Sequence, residues 1–203
     1  MKFDNVIGNS EVKNYLRKNI ETSNILLSYL FIGTEGIGKF LIAKEFSKYI
    51  LCLENSKENC KCKSCLCYDG NNHPDFKIIN ETGETIKIEQ IRELVEKVIE
   101  KPIVSNKKVY IINDCDKMTK EAQNCLLKTL EEPPEFVTMI LITSNENMIL
   151  NTIKSRCMKV KFKNIENKIL YDYAINEIGY EDISENLLKT FGGSIRKAIN
   201  LKE

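Results

Sequence analysis

The sequence predicts an α/β fold: a parallel sheet flanked by helices, with a small helical unit after it. Three observations carry that reading. Apolar runs of strand length alternate with amphipathic helical stretches as far as Phe162. A glycine-rich loop, Gly33-Thr34-Glu35-Gly36-Ile37-Gly38-Lys39, separates the first such run from the helix behind it. Beyond Asn164 only helical spacing recurs.

The elements follow in order. Val12, Tyr15 and Leu16 share one side of a helix over Ser10 to Ile20. Leu26 to Ile32 is short, apolar and stopped by Gly33, which predicts a buried strand. Leu41, Ile42, Phe46 and Ile50 then mark a helix over Phe40 to Leu51. A cysteine-rich segment ends at His73-Pro74, and Phe76 to Ile79 is the second strand. Ile88, Ile91, Leu94, Val95, Val98 and Ile99 form a helical stripe stopped near Pro102. Val109 to Ile112 is a third strand, and Thr119 to Leu130 a helix stopped by Pro133-Pro134. Phe136 to Thr143 and Met158 to Phe162 are the fourth and fifth strands. Helices are expected over Lys168 to Ile178, Ser184 to Phe191 and Ser194 to Leu201.

Composition excludes several classes. In 203 residues, 30 Lys and Arg stand against 29 Asp and Glu, a formal charge of +1. That balance excludes a broadly basic nucleic-acid coat. A single His excludes a His-rich metal centre. Neither a signal-peptide pattern nor an apolar run of about 18 residues occurs, so a cytoplasmic location off the membrane is expected. Thiols stay reduced there, and clustered Cys then suggest a metal rather than disulfides. The chain has eight Cys, five of them between Cys52 and Cys67.

The loop fits G-x-x-x-x-G-K and fails at the next position. In such a P-loop, backbone N–H groups cradle phosphates, the Lys reaches the outer ones, and a following Ser or Thr holds Mg²⁺. Lys39 is present, but Phe40 has no hydroxyl. The second metal position is an Asp at the end of a buried strand. Here that position is Asn113, with Asp114 where a longer catalytic Glu would stand. Two altered metal positions predict no Mg²⁺ site and no fast phosphoryl transfer. They leave open whether ATP or ADP still binds.

The cysteines of residues 52–67 can supply four thiolates to a tetrahedral Zn²⁺, and Cys62-Lys63-Ser64-Cys65 is a C-x-x-C step. All-thiolate ligation leaves no open position, so the zinc would be structural. Cys52, Cys60, Cys62 and Cys65 are the expected ligands, with Cys67 the alternative to Cys60. Cys115, Cys125 and Cys157 are scattered and read as small core residues.

Asn124-Cys125-Leu126-Leu127-Lys128-Thr129-Leu130-Glu131-Glu132-Pro133-Pro134 resembles the N-A-L-L-K-T-L-E-E-P-P signature of clamp-loader subunits of the AAA+ family. Ser155-Arg156-Cys157 matches their S-R-C motif, and Phe3 to Gly8 looks like their segment near the adenine. The altered P-loop is similar to the delta-prime class of bacterial DNA polymerase III. The resemblance implies an AAA+ α/β domain over 1–163, with the zinc module at about 52–67, and a helical lid over 164–203. A third, collar domain of the family lies outside this chain. It further implies a stator that does not hydrolyse ATP and that delivers Arg156 in trans to a neighbouring ATPase subunit. The partners implied are the gamma/tau and delta subunits, the sliding clamp and, through the complex, primed DNA. A degenerate nucleotide site would be formed by Val6, Ile7, Gly33, Gly36, Gly38, Lys39 and Arg196, with Thr143 to Asn145 a relic γ-phosphate sensor. The competing reading is an active ATPase motor with a divergent P-loop.

Overall fold

The computed structural model describes residues 3, 6–54, 60–80, 83–180 and 183–201. Five strands form one parallel sheet: β1 (Ser28–Ile32), β2 (Phe76–Ile79), β3 (Lys108–Ile112), β4 (Val137–Thr143) and β5 (Met158–Lys161). Their order across the sheet is β2-β3-β4-β1-β5. Tyr29 lies opposite Ile140 on one side and Met158 on the other. The three inner strands are almost wholly buried. Parallel strands covered on both faces need apolar residues at every position, which is why these runs do not alternate.

Helices cover both faces. Tyr29, Phe31, Ile111 and Ile140 point to one face and pack with Val12 and Leu16 of α1 (Ser10–Glu21) and Ile42 and Phe46 of α2 (Lys39–Leu51). Leu30, Ile112 and Leu141 point to the other. There they meet Ile91 and Leu94 of α4 (Ile88–Val98) and Leu126 and Leu130 of α5 (Lys120–Glu131). Thr119 caps α5, its hydroxyl accepting the Ala122 N–H. Between β4 and β5 runs a single-turn helix, α6 (Asn151–Lys154). The chain crosses from the β2 side of β1 to the β5 side, so the carboxyl ends of β1, β3 and β4 border a crevice at the switch in strand order.

After β5 come α7 (Asn167–Tyr173), α8 (Glu185–Phe191) and α9 (Ile195–Asn200). Ile165, Leu170, Ala174, Leu188, Phe191 and Ala198 close an apolar cluster of their own. Among the described residues no helix is long and apolar enough to cross a membrane.

The expected elements all occur, with shifted ends and two short helices missed. The first strand opens at Ser28, because the Leu26 N–H turns back to the Tyr29 hydroxyl (2.9 Å). Phe136 and Phe162 fall just outside β4 and β5. The helix expected to Ile178 ends at Tyr173 and continues as a π turn over Ala174–Ile178. Missed together with the single turn of α6 is α3 (Lys63–Asp69), hidden in the cysteine segment. It is seven residues long, too short for a periodic stripe to announce it.

Candidate functional site

The glycine-rich loop leaves β1 and enters α2 through Gly38, whose φ of 91° lies in the left-handed region. A cleft of about 350 Å³ opens beside it, lined among others by Gly36, Gly38, Lys39, Phe40, Asn113, Asp114, Tyr173 and Arg196. The helical unit forms one wall. The carbonyl of Gly36 accepts the N–H groups of Ile195 (2.9 Å) and Arg196 (3.4 Å), and Arg196 Nη1 pairs with Glu35 Oε1 (2.9 Å). Lys39 is buried, and its Nζ donates to the carbonyls of Gly33 and Thr34, both at 2.6 Å. Burial lowers the Lys39 pKa to about 8, against the upward pull of Asp114, Asp116 and Glu35.

Of the expected nucleotide-site residues, Gly36, Gly38, Lys39 and Arg196 line the cleft. Val6, Ile7 and Gly33 stand behind it. Val6 lies against Gly38, 2.6 Å from where a β-carbon would be, and Ile7 packs on the helical cluster. Gly33 is enclosed by Ile37 and Phe162. Residues 4 and 5 of the Phe3 to Gly8 segment lie outside the described residues.

Asn113, Asp114 and Asp116 are engaged with groups of the protein itself. Asn113 Nδ2 donates to the Asn80 carbonyl (3.3 Å) and Asn80 Nδ2 donates to the Asn113 carbonyl (3.2 Å), a reciprocal pair at the ends of β2 and β3. Asp114 sits at a left-handed φ of 48° and pairs with Lys117 (3.2 Å). Asp116 accepts from the Thr143 hydroxyl (2.8 Å) and the Ser144 N–H (3.2 Å). The end of β4 is thereby tied to Asp116 while the Thr143 carbonyl still accepts the Gly33 N–H (3.3 Å) at the start of the loop.

Arg156 lies at the corner between α6 and β5. Its Nη1 donates to the Thr152 carbonyl (2.7 Å), and its Nη2 pairs with the carboxylate of Glu131 at the end of α5. The pair borders an open recess formed with Leu130, Glu132 and Ser155.

The thiols of Cys52, Cys60, Cys62 and Cys65 all lie within 4.8 Å of one another, and Cys67 is outside that group. One tetrahedral zinc with Zn–S bonds of about 2.3 Å would set the sulfurs about 3.8 Å apart, so the group could hold such an ion with slight contraction. The backbone is arranged for sulfur acceptors. The Cys62 N–H points to Cys60 Sγ (3.4 Å), and the Cys65 N–H to Cys62 Sγ (3.5 Å), which caps α3. Burial raises the Cys62 thiol, but the N–H groups of Cys65 and Leu53 and the thiols of Cys60 and Cys65 outweigh it and bring it to about 7. Burial, joined by the neighbouring thiols of Cys62 and Cys52, drives Cys65 up.

A buried polar platform carries this group. His73 Nδ1 accepts the Asp75 N–H (3.0 Å), so its Nε2 carries the proton and donates to Ser64 Oγ (2.8 Å). Ser64 and Ser105 both donate to the Leu51 carbonyl, at 2.6 and 2.8 Å, one residue before Cys52. Asp75 accepts the N–H groups of Ile103, Val104 and Ser105 at 2.7 to 2.8 Å. Both ring nitrogens of His73 are therefore engaged, and it is no metal ligand.

Comparisons with known proteins agree with this architecture. Residues 8–166 match the family model described as DNA polymerase III, delta subunit. The chain belongs to that family. Among curated family relatives, the DNA polymerase III subunit delta' of Bacillus subtilis is 35% identical over 194 residues, covering 94% of this chain and 58% of the relative. The subunit tau/gamma of Haemophilus influenzae is 32% identical over 209 residues, 99% of this chain and 30% of the relative. A solved DNA polymerase III gamma subunit-related protein from Thermotoga maritima superposes with a TM-score of 0.61 at 26% identity, covering 95% of this chain and 57% of that one. The chain thus spans less than two thirds of these relatives' length. In this member of the delta-subunit family, sequence reasoning missed the partners: Asn80 for Asn113, Glu35 for Arg196 and Glu131 for Arg156. Glu131 was in view within the Leu126 to Pro134 run, but nothing in spacing says that it meets a residue 25 positions on.

Proposed function

We propose that this chain acts in DNA replication as a non-hydrolysing stator of the DNA polymerase III clamp loader, presenting Arg156 to the ATP of a neighbouring gamma/tau subunit. The observation that carries the reading is the pairing of Asn113 with Asn80 beside a P-loop that continues into Phe40. Neither position offers the hydroxyl or the carboxylate that holds Mg²⁺ in a P-loop site, and without the metal phosphoryl transfer loses its main charge stabilisation. A guanidinium supplied across an interface would stabilise the γ-phosphate oxygens and make hydrolysis depend on assembly. The wider assembly would include the delta subunit, the sliding clamp and primed DNA, in the cytoplasm. In this reading residues 1–163 are the α/β domain and 164–203 its helical lid. Cys52, Cys60, Cys62 and Cys65 would hold a structural zinc.

The test is Arg156→Ala in the reconstituted loader. The folded subunit should keep its melting temperature, and ATP turnover at the site it serves should fall about 10²-fold. Unchanged turnover refutes the reading. The second reading, an active ATPase, draws support from Lys39 and Arg196 lining one cleft. ATP hydrolysis by the purified chain that is abolished by Lys39→Ala would decide for it.

A further inference from the structure

Glu131 is the last residue of α5, where the carbonyl ends of the helix make a carboxylate unfavourable. Helix stability does not account for it there. What it meets is Arg156 Nη2, while Nη1 of the same guanidinium is held by the Thr152 carbonyl. Both side chains remain partly exposed, at 30% and 48%, and such a pair adds little to stability. The recess that the pair faces is also lined by Glu132, so a phosphate approaching the arginine meets two carboxylates beside it. A phosphate that takes the guanidinium by its outer N–H groups must take the same Nη2 that Glu131 holds.

We propose that Glu131 is a positioning residue for Arg156, a counter-ion that keeps the guanidinium folded against α6 in the free subunit and yields it to the γ-phosphate in the assembly. This rests on the arginine-finger reading above. The exchange is of one charge-assisted pair for another, with no covalent step. The latch holds a long side chain in one rotamer, which lowers the entropy lost on engagement, and it neutralises the charge when no phosphate is present. Its opening is a cost carried by the transition state, so removing the charge should speed the chemical step.

The experiment uses the reconstituted loader and four variants of this subunit. Glu131→Gln should raise kcat at the served site by up to about fivefold, the limit set by a half-exposed ion pair. KM for ATP should stay unchanged, and Glu131→Asp should behave as wild type. Arg156→Ala and the Glu131→Gln/Arg156→Ala double variant should be equally slow. In the free chain, NMR of the Arg156 guanidinium should show hindered rotation that becomes fast in Glu131→Gln. A slow Arg156→Ala with a Glu131→Gln identical to wild type would overturn the latch alone. A fully active Arg156→Ala would overturn the finger and the latch together.

Discussion

A β-carbon on Gly36 would stand only 2.1 Å from the hydroxyl oxygen of Ser194. The tip of the glycine-rich loop and the start of α9 therefore occupy one another's space, and the Gly36 carbonyl takes the Ile195 and Arg196 N–H groups there. The tip of the loop is thereby a seat for the helical unit.

Gly36→Ala should unseat that unit. The residue has a φ of 78°, which a side chain tolerates poorly, and the added methyl must displace Ser194 or Arg196. The expected loss is about 2–4 kcal/mol. It should be read as a lowered denaturation midpoint, with limited proteolysis newly cutting between residues 162 and 167. A variant as protease-resistant as wild type would contradict the seat.

Asp75→Asn should destabilise by about 3 kcal/mol. The carboxylate is 2% exposed and accepts three backbone N–H groups, so an amide NH₂ must face at least one of them. Urea unfolding measures this. Because Ser105 shares the Leu51 carbonyl with Ser64, the variant should also weaken metal retention at the cysteines.

Metal removal should melt the small helix first. Purified under reducing conditions, the chain should carry about one zinc, and chelation should lose the α3 signals while the sheet persists. Cys60→Ser should lower the zinc content and Cys67→Ser should not, since Cys67 stands outside the thiol group. Equal effects of both would overturn the ligand set.

Lys39 should make stability depend on pH. Its folded pKa is near 8 against 10.5 for the free side chain, so between those values the unfolded state binds more protons. Stability then rises with pH through that window. By pH 10 the gain relative to pH 7 should be about 2 kcal/mol. Lys39→Met should lack it. The difference between the two proteins' unfolding free energies isolates the contribution from other titrating groups, and a flat difference across pH 7 to 10 would refute it.

The cores of the strands were legible because a buried parallel strand must be apolar throughout, as Val109 to Ile112 is. Their ends were not, since Leu26 and Phe136 are apolar for packing outside the ladder. The loop and the four clustered cysteines were legible because their chemistry depends on residue type and short spacing, whereas Arg156 stood out only through the resemblance of Ser155-Arg156-Cys157 to a family motif. Helix α3 was not, because seven residues carry too little period and cysteines mask it.

The sequence by itself determined a sheet flanked by helices, the glycine-rich loop and the clustered cysteines, all local or periodic properties of the chain, and its motifs pointed to the family. The tertiary structure alone decided what the altered groups do. Asn113 braces Asn80, Ser194 fills the space over Gly36, Glu131 holds Arg156, and Cys60 rather than Cys67 joins the thiol group. The reason is physical. The first three pairs lie 25 to 158 residues apart in the chain, and contacts at such separations exist only once the sheet has set where each loop ends.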